Sequence, residues 1–363
     1  MTGLDRRLKE RIRRDGPIPV ADFMAVALQD PWGGYYRRRD PLGAGGDFTT
    51  APEISQMFGE MIGLWCVDGW HADATPAPFA LVELGPGRGT LLADALRAAR
   101  VDPAFGASAA IHLVETSQPL RARQRAALAT TPATWHETID TLPDLATIVV
   151  ANEFFDALPV RQFMREAGAW RERCVGLDDD AFVFVAAPTT APAAALPAMR
   201  EALAPGTIVE RRPAAEAIVA AIARRIVARG GRALLIDYGH GGGAGDTLQA
   251  LRDGRPASPL EAPGEADLTA HVDFAALAVA ARESGAEAWG PLPQGRFLRA
   301  LGIERRAEIL AAARPDRRAT IGAALHRLIG AAEMGTLFKA LAITRADAPA
   351  PAGFADCPAS EVS

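Results

Sequence analysis

The sequence predicts an α/β protein whose mostly parallel sheet is covered on both faces, and three observations carry that prediction. Short, largely apolar runs recur at residues 80–84, 111–114, 147–151 and 233–236. Helical patterns separate them at 90–100, 118–129 and 213–229, the last closing on Gly230-Gly231. The first run passes directly into a glycine-rich turn and then a helix. Buried apolar strands joined by helices belong to sheets that meet helices on both sides.

Taken in order, residues 1–75 read as an N-terminal helical region. Leu4, Leu8 and Ile12 recur at four-residue spacing, and a second amphipathic segment runs from Pro19 to Leu28. Asp30-Pro31-Trp32-Gly33-Gly34 opens a turn-rich stretch. Thr50-Ala51-Pro52-Glu53 has the spacing of a capping box, starting a helix through Ile54, Met57, Phe58, Met61, Ile62 and Trp65. Residues 76–345 form the sheet core, with an insertion at about 165–230. That insertion includes an antiparallel hairpin, its arms at 169–175 and 181–185 joined by Gly176-Leu177-Asp178-Asp179-Asp180. The Ala- and Pro-rich residues 346–363 read as a flexible tail.

Composition narrows the function. With 49% hydrophobic residues the chain buries a sizeable core, and a net charge of −5 argues against a general nucleic-acid binder. Cys66, Cys174 and Cys357 are far apart without a CxxC pair, and the histidines lack HExxH spacing, so neither a disulfide framework nor a metal centre is expected. No apolar run reaches the ~18–20 residues of a membrane span. The N-terminal segment lacks the apolar core of a secretory signal, and Asp5, Glu10 and Asp15 argue against a mitochondrial presequence. A cytoplasmic protein is the resulting expectation.

The turn Glu83-Leu84-Gly85-Pro86-Gly87-Arg88-Gly89 carries most of the chemistry. Glycines let the backbone bend sharply and approach a ligand, and the following helix presents N–H groups to an anion. A dinucleotide site wants G-x-G-x-x-G, but here the third glycine arrives one residue early and Pro86 removes a donor. Glu83 would repel a diphosphate and suits a cationic ligand. S-adenosylmethionine has an ammonium, a sulfonium and one carboxylate, and G-x-G-x-G with an acid two residues earlier is the pattern of Rossmann-like methyltransferases. Gly85, Gly87 and Gly89 are therefore expected at the cofactor with Glu83, and Glu115, closing the second strand, at its ribose hydroxyls. Trp135-His136-Glu137 ends the third strand near the adenine, where Trp135 reads equally as core or as a stacking ring.

The fourth strand leads into Asn152-Glu153-Phe154-Phe155-Asp156-Ala157-Leu158-Pro159. Polar groups there lie beyond a carboxyl end, where open α/β sheets bind ligands. Asn152 is expected beside the cofactor and Glu153 and Asp156 in catalysis; a capped helix start is the plainer reading of the same residues.

Together with Gly46-Asp47-Phe48-Thr49-Thr50-Ala51-Pro52-Glu53-Ile54-Ser55, these motifs resemble the MidA-type family. That family includes homologues of the mitochondrial complex I assembly factor with protein arginine methyltransferase activity. Asp237-Tyr238-Gly239-His240, the run from Pro263 to Phe274 and Gly290-Pro291-Leu292-Pro293-Gln294 extend the resemblance to most of the chain. It implies a class I methyltransferase core and methylation of an arginine in a respiratory NADH dehydrogenase subunit. Residues 46–55 are expected as a lid loop. Asp47, Glu53, Asp237, Tyr238, Asp267 and His271 are expected on the acceptor side. A different acceptor, protein or small molecule, and a non-catalytic S-adenosylmethionine-binding assembly chaperone stay open as alternatives.

Overall fold

The structure, a computed structural model, describes residues 3–38, 49–129, 131–166, 168–196 and 203–355. Asp47, the start of the expected lid loop, Cys357 and residues 356–363 lie outside them. The described residues divide into two units. One draws on Met1–Phe48, Asp156–Ala215 and Gly242–Asp273, the other on Thr49–Phe155, Glu216–Gly241 and Phe274–Ser363.

The second unit holds the main sheet. Its strands are β1 (Phe79–Leu84), β2 (Ala109–Val114), β3 (Ala133–His136), β4 (Thr147–Asn152), β5 (Gly231–His240), β6 (Ala286–Pro293) and β7 (Phe338–Arg345). They lie in the order β6-β7-β5-β4-β1-β2-β3. From β5 to β3 all neighbours are parallel. β7 runs antiparallel to β5 and β6. This is the expected Rossmann-like sheet. Helices α1 (Gln56–Ala72), α2 (Thr90–Ala98), α3 (Gln118–Leu128), α4 (Pro213–Arg229) and α5 (Phe274–Glu283) accompany it.

Every residue of β1 and β4 is buried. Phe79 and Leu81 of β1 share a core with Met61, Ile62 and Trp65 of α1 and Leu91 and Leu92 of α2. Each such side chain contributes about 1.5–3 kcal/mol on burial. The chain leaves β1 toward β2 and β4 toward β5, on opposite sides. The crevice at a switch of that kind opens over the carboxyl ends of the two strands, where the glycine turn and Asn152-Glu153 stand.

The other unit packs helices Gly3–Asp15 and Val20–Gln29 through Leu4, Leu8, Ile12, Phe23 and Met24 onto Val160, Val175 and Leu268. Its antiparallel strands include the expected hairpin, observed as Ala169–Asp178 and Ala181–Thr190, with Asp179 at φ +51° in the turn. A smaller antiparallel sheet joins Gln249–Arg252, Arg255–Ala257 and Asp267–Thr269. The N-terminal helical region expected over 1–75 thus divides at Phe48/Thr49, because its first helices bury their apolar stripe in one unit and α1 in the other.

Two local features depart from the pattern of the sequence. The helix expected from Thr50 breaks at Ser55, which is extended at φ −163°, giving Ala51–Ile54 and then α1. In the segment expected as a flexible tail, Phe354 is fully buried with its ring 5.3 Å from Phe297.

Candidate active site

The glycine turn is bent by left-handed backbone at Gly85, Gly87 and Gly89, with φ of +58°, +54° and +84°. At Gly89 space matters as well as φ, since a Cβ would stand 3.3 Å from both Ala127 Cβ and Gln124 Cα of α3. At Gly85 a Cβ would meet the Phe154 ring at 2.7 Å.

Glu83 is 3% exposed, and burial pushes its carboxyl up to about 8. Cys66, Leu81, Leu91, Leu92 and Phe105 line the small cavity beside it. Glu115 closes β2. Its Oε1 accepts from Ser117 N at 2.7 Å and its Oε2 from Gln124 Nε2 at 3.2 Å. Burial raises its pKa, while those N–H donors pull it back down. Its backbone carbonyl accepts from Arg121 Nε at 2.7 Å.

At the end of β4, Asn152 Nδ2 donates to Glu153 Oε1 at 3.1 Å. The same oxygen accepts from Ala51 N at 2.9 Å, so Glu153 caps the short helix Ala51–Ile54 and Thr50 does not. Glu153 itself sits at φ +50°, an uncommon conformation for a residue with a side chain. Glu53 does not close the expected capping box. Its Oε1 accepts from Thr90 Oγ1, the first residue of α2, at 2.6 Å.

Asp237 on β5 is fully buried. It accepts from Phe154 N at 3.2 Å, Phe155 N at 2.9 Å and Tyr238 N at 2.9 Å. The expected acceptor-side acid is thus engaged by the backbone that follows β4, which it fixes in place. Tyr238 is buried with its ring 5.4 Å from Phe338.

The other unit gathers a separate polar cluster. Tyr36 OH donates to Asp267, with Oδ1 and Oδ2 at 2.9 and 3.0 Å. Burial, then Asp267 and Asp156, push the phenol well above its usual range. Asp156 and Asp267 are both buried. Arg212 donates to the carbonyls of Asp156, Leu158, Ala270 and His271 at 3.0–3.3 Å. His271 N donates to Thr247 Oγ1 at 2.8 Å. Asp156 is therefore brought together with the distant Asp267 and His271.

Residues 61–292 match the family of S-adenosyl-L-methionine-dependent methyltransferases. The chain belongs to this family. Its MidA-type character is borne out by protein arginine methyltransferase NDUFAF7, mitochondrial, of Mus musculus, which is 37% identical over 372 residues, covering 94% of this chain and 84% of the relative. The Drosophila melanogaster homolog is 36% identical over 375 residues, with 94% and 84% covered. A crystal structure of a Burkholderia thailandensis methyl transferase bound to S-adenosyl-homocysteine matches with a TM-score of 0.86 at 31% identity, covering 99% of this chain and 96% of that one. The chain is thus an S-adenosylmethionine-dependent methyltransferase.

The residues present fit that cofactor. Glu83 Oε2 and Asn152 Oδ1 are buried acceptors without a hydrogen-bond partner among the described residues. Such atoms cost about 1–3 kcal/mol each, and a ligand with an ammonium and other N–H donors satisfies them. The cytoplasmic expectation is corrected: the relatives are named as mitochondrial proteins, which conflicts with it. Among the described residues no helix is long and apolar enough to cross a membrane.

Gln124, Tyr36, Thr90 and Arg212 escape a sequence reading. Gln124 alone leaves a signal there, since it interrupts the apolar stripe Leu120–Gln124–Leu128 on the buried face of α3.

Proposed function

We propose that this methyltransferase modifies an arginine side chain of a protein, with a subunit of the respiratory NADH dehydrogenase as target. The relatives named protein arginine methyltransferases support the first part, and the family resemblance supports the second. The observation that carries the reading is Glu153, a carboxylate held at the carboxyl end of β4, the strand beside the one that enters the glycine turn.

S-adenosylmethionine supplies a methyl group already activated on sulfonium. Glu83 and Asn152 would hold its amino-acid end and Glu115 its ribose, with the backbone at Gly85, Gly87 and Gly89 close against it. A guanidinium stays protonated at neutral pH, so the acceptor arrives as a planar cation. Glu153 would bind two of its N–H groups, align the remaining nitrogen for in-line attack as the methyl leaves sulfur, and stabilise positive charge until the proton displaced from that nitrogen passes to water. In the other unit, Tyr36 fixes Asp267 within its own cluster of acids. Glu53 is assigned beside the donor site through its bond to Thr90, and Asp237 and Tyr238 support the turn behind Glu153.

The test is to incubate the protein with methyl-labelled donor and a cell extract, then locate the label by mass spectrometry. Methylarginine in a dehydrogenase subunit is the expected result. Label on another residue or on a small molecule would replace the acceptor, and donor binding without any transfer would favour an assembly chaperone.

A further inference from the structure

Gln124 lies at the centre of α3, is 0% exposed, and uses every polar atom of its side chain. Nε2 donates to the Gly87 carbonyl at 2.8 Å and to Glu115 Oε2 at 3.2 Å. Oε1 accepts from Trp135 Nε1 at 2.8 Å. Those partners come from three different places: the glycine turn after β1, the end of β2, and β3. Only one orientation of the amide suits them. An indole nitrogen can only donate, while a carbonyl and a carboxylate can only accept. Turned over, the amide would set N–H against N–H and oxygen against two oxygens.

We propose that Gln124 is the positioning residue for the nucleoside half of the methyl donor, fixing the Glu115 carboxylate at the angle at which it receives the ribose hydroxyls. This role rests on Glu115 being the ribose ligand of the proposed function. Ser117 N holds one oxygen of Glu115 and Gln124 the other, so the carboxylate cannot rotate. An ionised carboxylate has about four acceptor directions; Ser117, Gln124 and the Thr116 backbone N–H, which also donates to it, leave the remainder to the ribose diol. Because the same amide anchors Gly87 and Trp135, the turn, the acid and the indole are set relative to one another by a single side chain. The close approach of Gly89 to Gln124 keeps α3 in register with the turn.

The experiment is calorimetric titration of the full chain with S-adenosylhomocysteine and with its 2′-deoxy and 3′-deoxy analogues, for wild type, Gln124→Met and Glu115→Ala. Met keeps the length of the side chain but donates and accepts nothing comparable. Losing a hydrogen bond to a charged group predicts S-adenosylhomocysteine binding roughly ten- to hundredfold weaker in both variants. The deoxy analogues, weaker already in wild type, should lose little more. Equal losses for all three ligands in Gln124→Met would reduce Gln124 to a packing residue and overturn the proposal, as would no loss at all. Glu115→Ala separates the two layers. If it leaves S-adenosylhomocysteine affinity unchanged, the ribose assignment itself fails; if it weakens binding selectively and Gln124→Met does not, only the role of Gln124 fails. Should Gln124→Met not fold, Trp135→Phe removes the indole donor that orients the amide while keeping the aromatic packing. A smaller loss with the same preference for the diol ligand is expected, and an unselective result there also overturns the proposal.

Discussion

Glu53 accepts a 2.6 Å hydrogen bond from the hydroxyl of Thr90, tying the segment before α1 to the residue that follows the glycine turn. Ala51 N on Glu153 makes a second tie between that segment and the end of β4. We predict that Thr90→Val, which keeps the branched shape and deletes the donor, weakens S-adenosylhomocysteine binding by roughly tenfold. Calorimetry on the variant measures this, and an unaltered Kd would separate the segment from the donor site.

Gly87 stands at φ +54°, where a β-branched residue is strained by about 1–3 kcal/mol. Gly87→Val places that branch where the backbone must come close to the donor. The expected outcome is a chain that still unfolds cooperatively, at a lower Tm, with no measurable donor binding. Normal affinity in the folded variant would relocate the site.

Most of the parallel half of the sheet is legible in the sequence because β1, β2, β4 and β5 hold short, largely apolar runs bounded by turn residues, whereas β3, Ala133-Thr134-Trp135-His136, is marked only by its place after α3. β6 is hidden by Gly290, Pro291 and Pro293, which read as a turn but lie in a strand whose register shifts between Trp289 and Leu292. Glu83, Gly85, Gly87, Gly89 and Glu115, the residues proposed for the cofactor, are readable because they are close in sequence to strand ends. Tyr36 with Asp267 and Arg212 with four distant carbonyls are not, since nothing local marks contacts between segments so far apart.

Burial holds the carboxyl of Glu83 neutral up to about pH 8. A carboxyl whose pKa is raised on folding stabilises the protein most below its unfolded pKa, near 4.3, and that stability is lost as pH rises toward 8. Glu83→Gln cannot ionise. We predict that its ligand-free Tm changes less than the wild-type value between pH 5 and 9, the gap widening at the alkaline end. Donor binding should show the opposite coupling in wild type: pairing Glu83 with an ammonium releases a proton below pH 8. Titrations in buffers of different ionisation enthalpy read that proton, and none released would show that Glu83 stays neutral in the complex.

Arg232 at the start of β5 is 1% exposed and meets Asp73 through two hydrogen bonds of 3.0 Å. Removing one partner of a buried pair leaves the other charge without compensation. Asp73→Asn should therefore cost about 3–5 kcal/mol, read as a fall in the denaturant midpoint. The paired replacement Arg232→Met with Asp73→Leu should recover most of it. A single variant as stable as wild type would mean that water already solvates the pair.

Glu153 is the residue on which donor binding and methyl transfer should part. Its carboxylate is fixed by Ala51 N and Asn152 Nδ2, and its backbone N donates to the Ile236 carbonyl at 2.9 Å, so the side chain is placed before any acceptor arrives. Glu153→Gln preserves shape and can still accept from Ala51 N, but it presents no negative charge to a guanidinium. The expected result is a fall in kcat of roughly 10²-fold or more, as for loss of a preorganised electrostatic partner, with Kd for S-adenosylhomocysteine within about twofold. Single-turnover transfer to a labelled protein acceptor, set beside calorimetry, measures both. Equal losses in the two would make Glu153 a support of the donor pocket, and wild-type turnover would take the acceptor-binding role away from it.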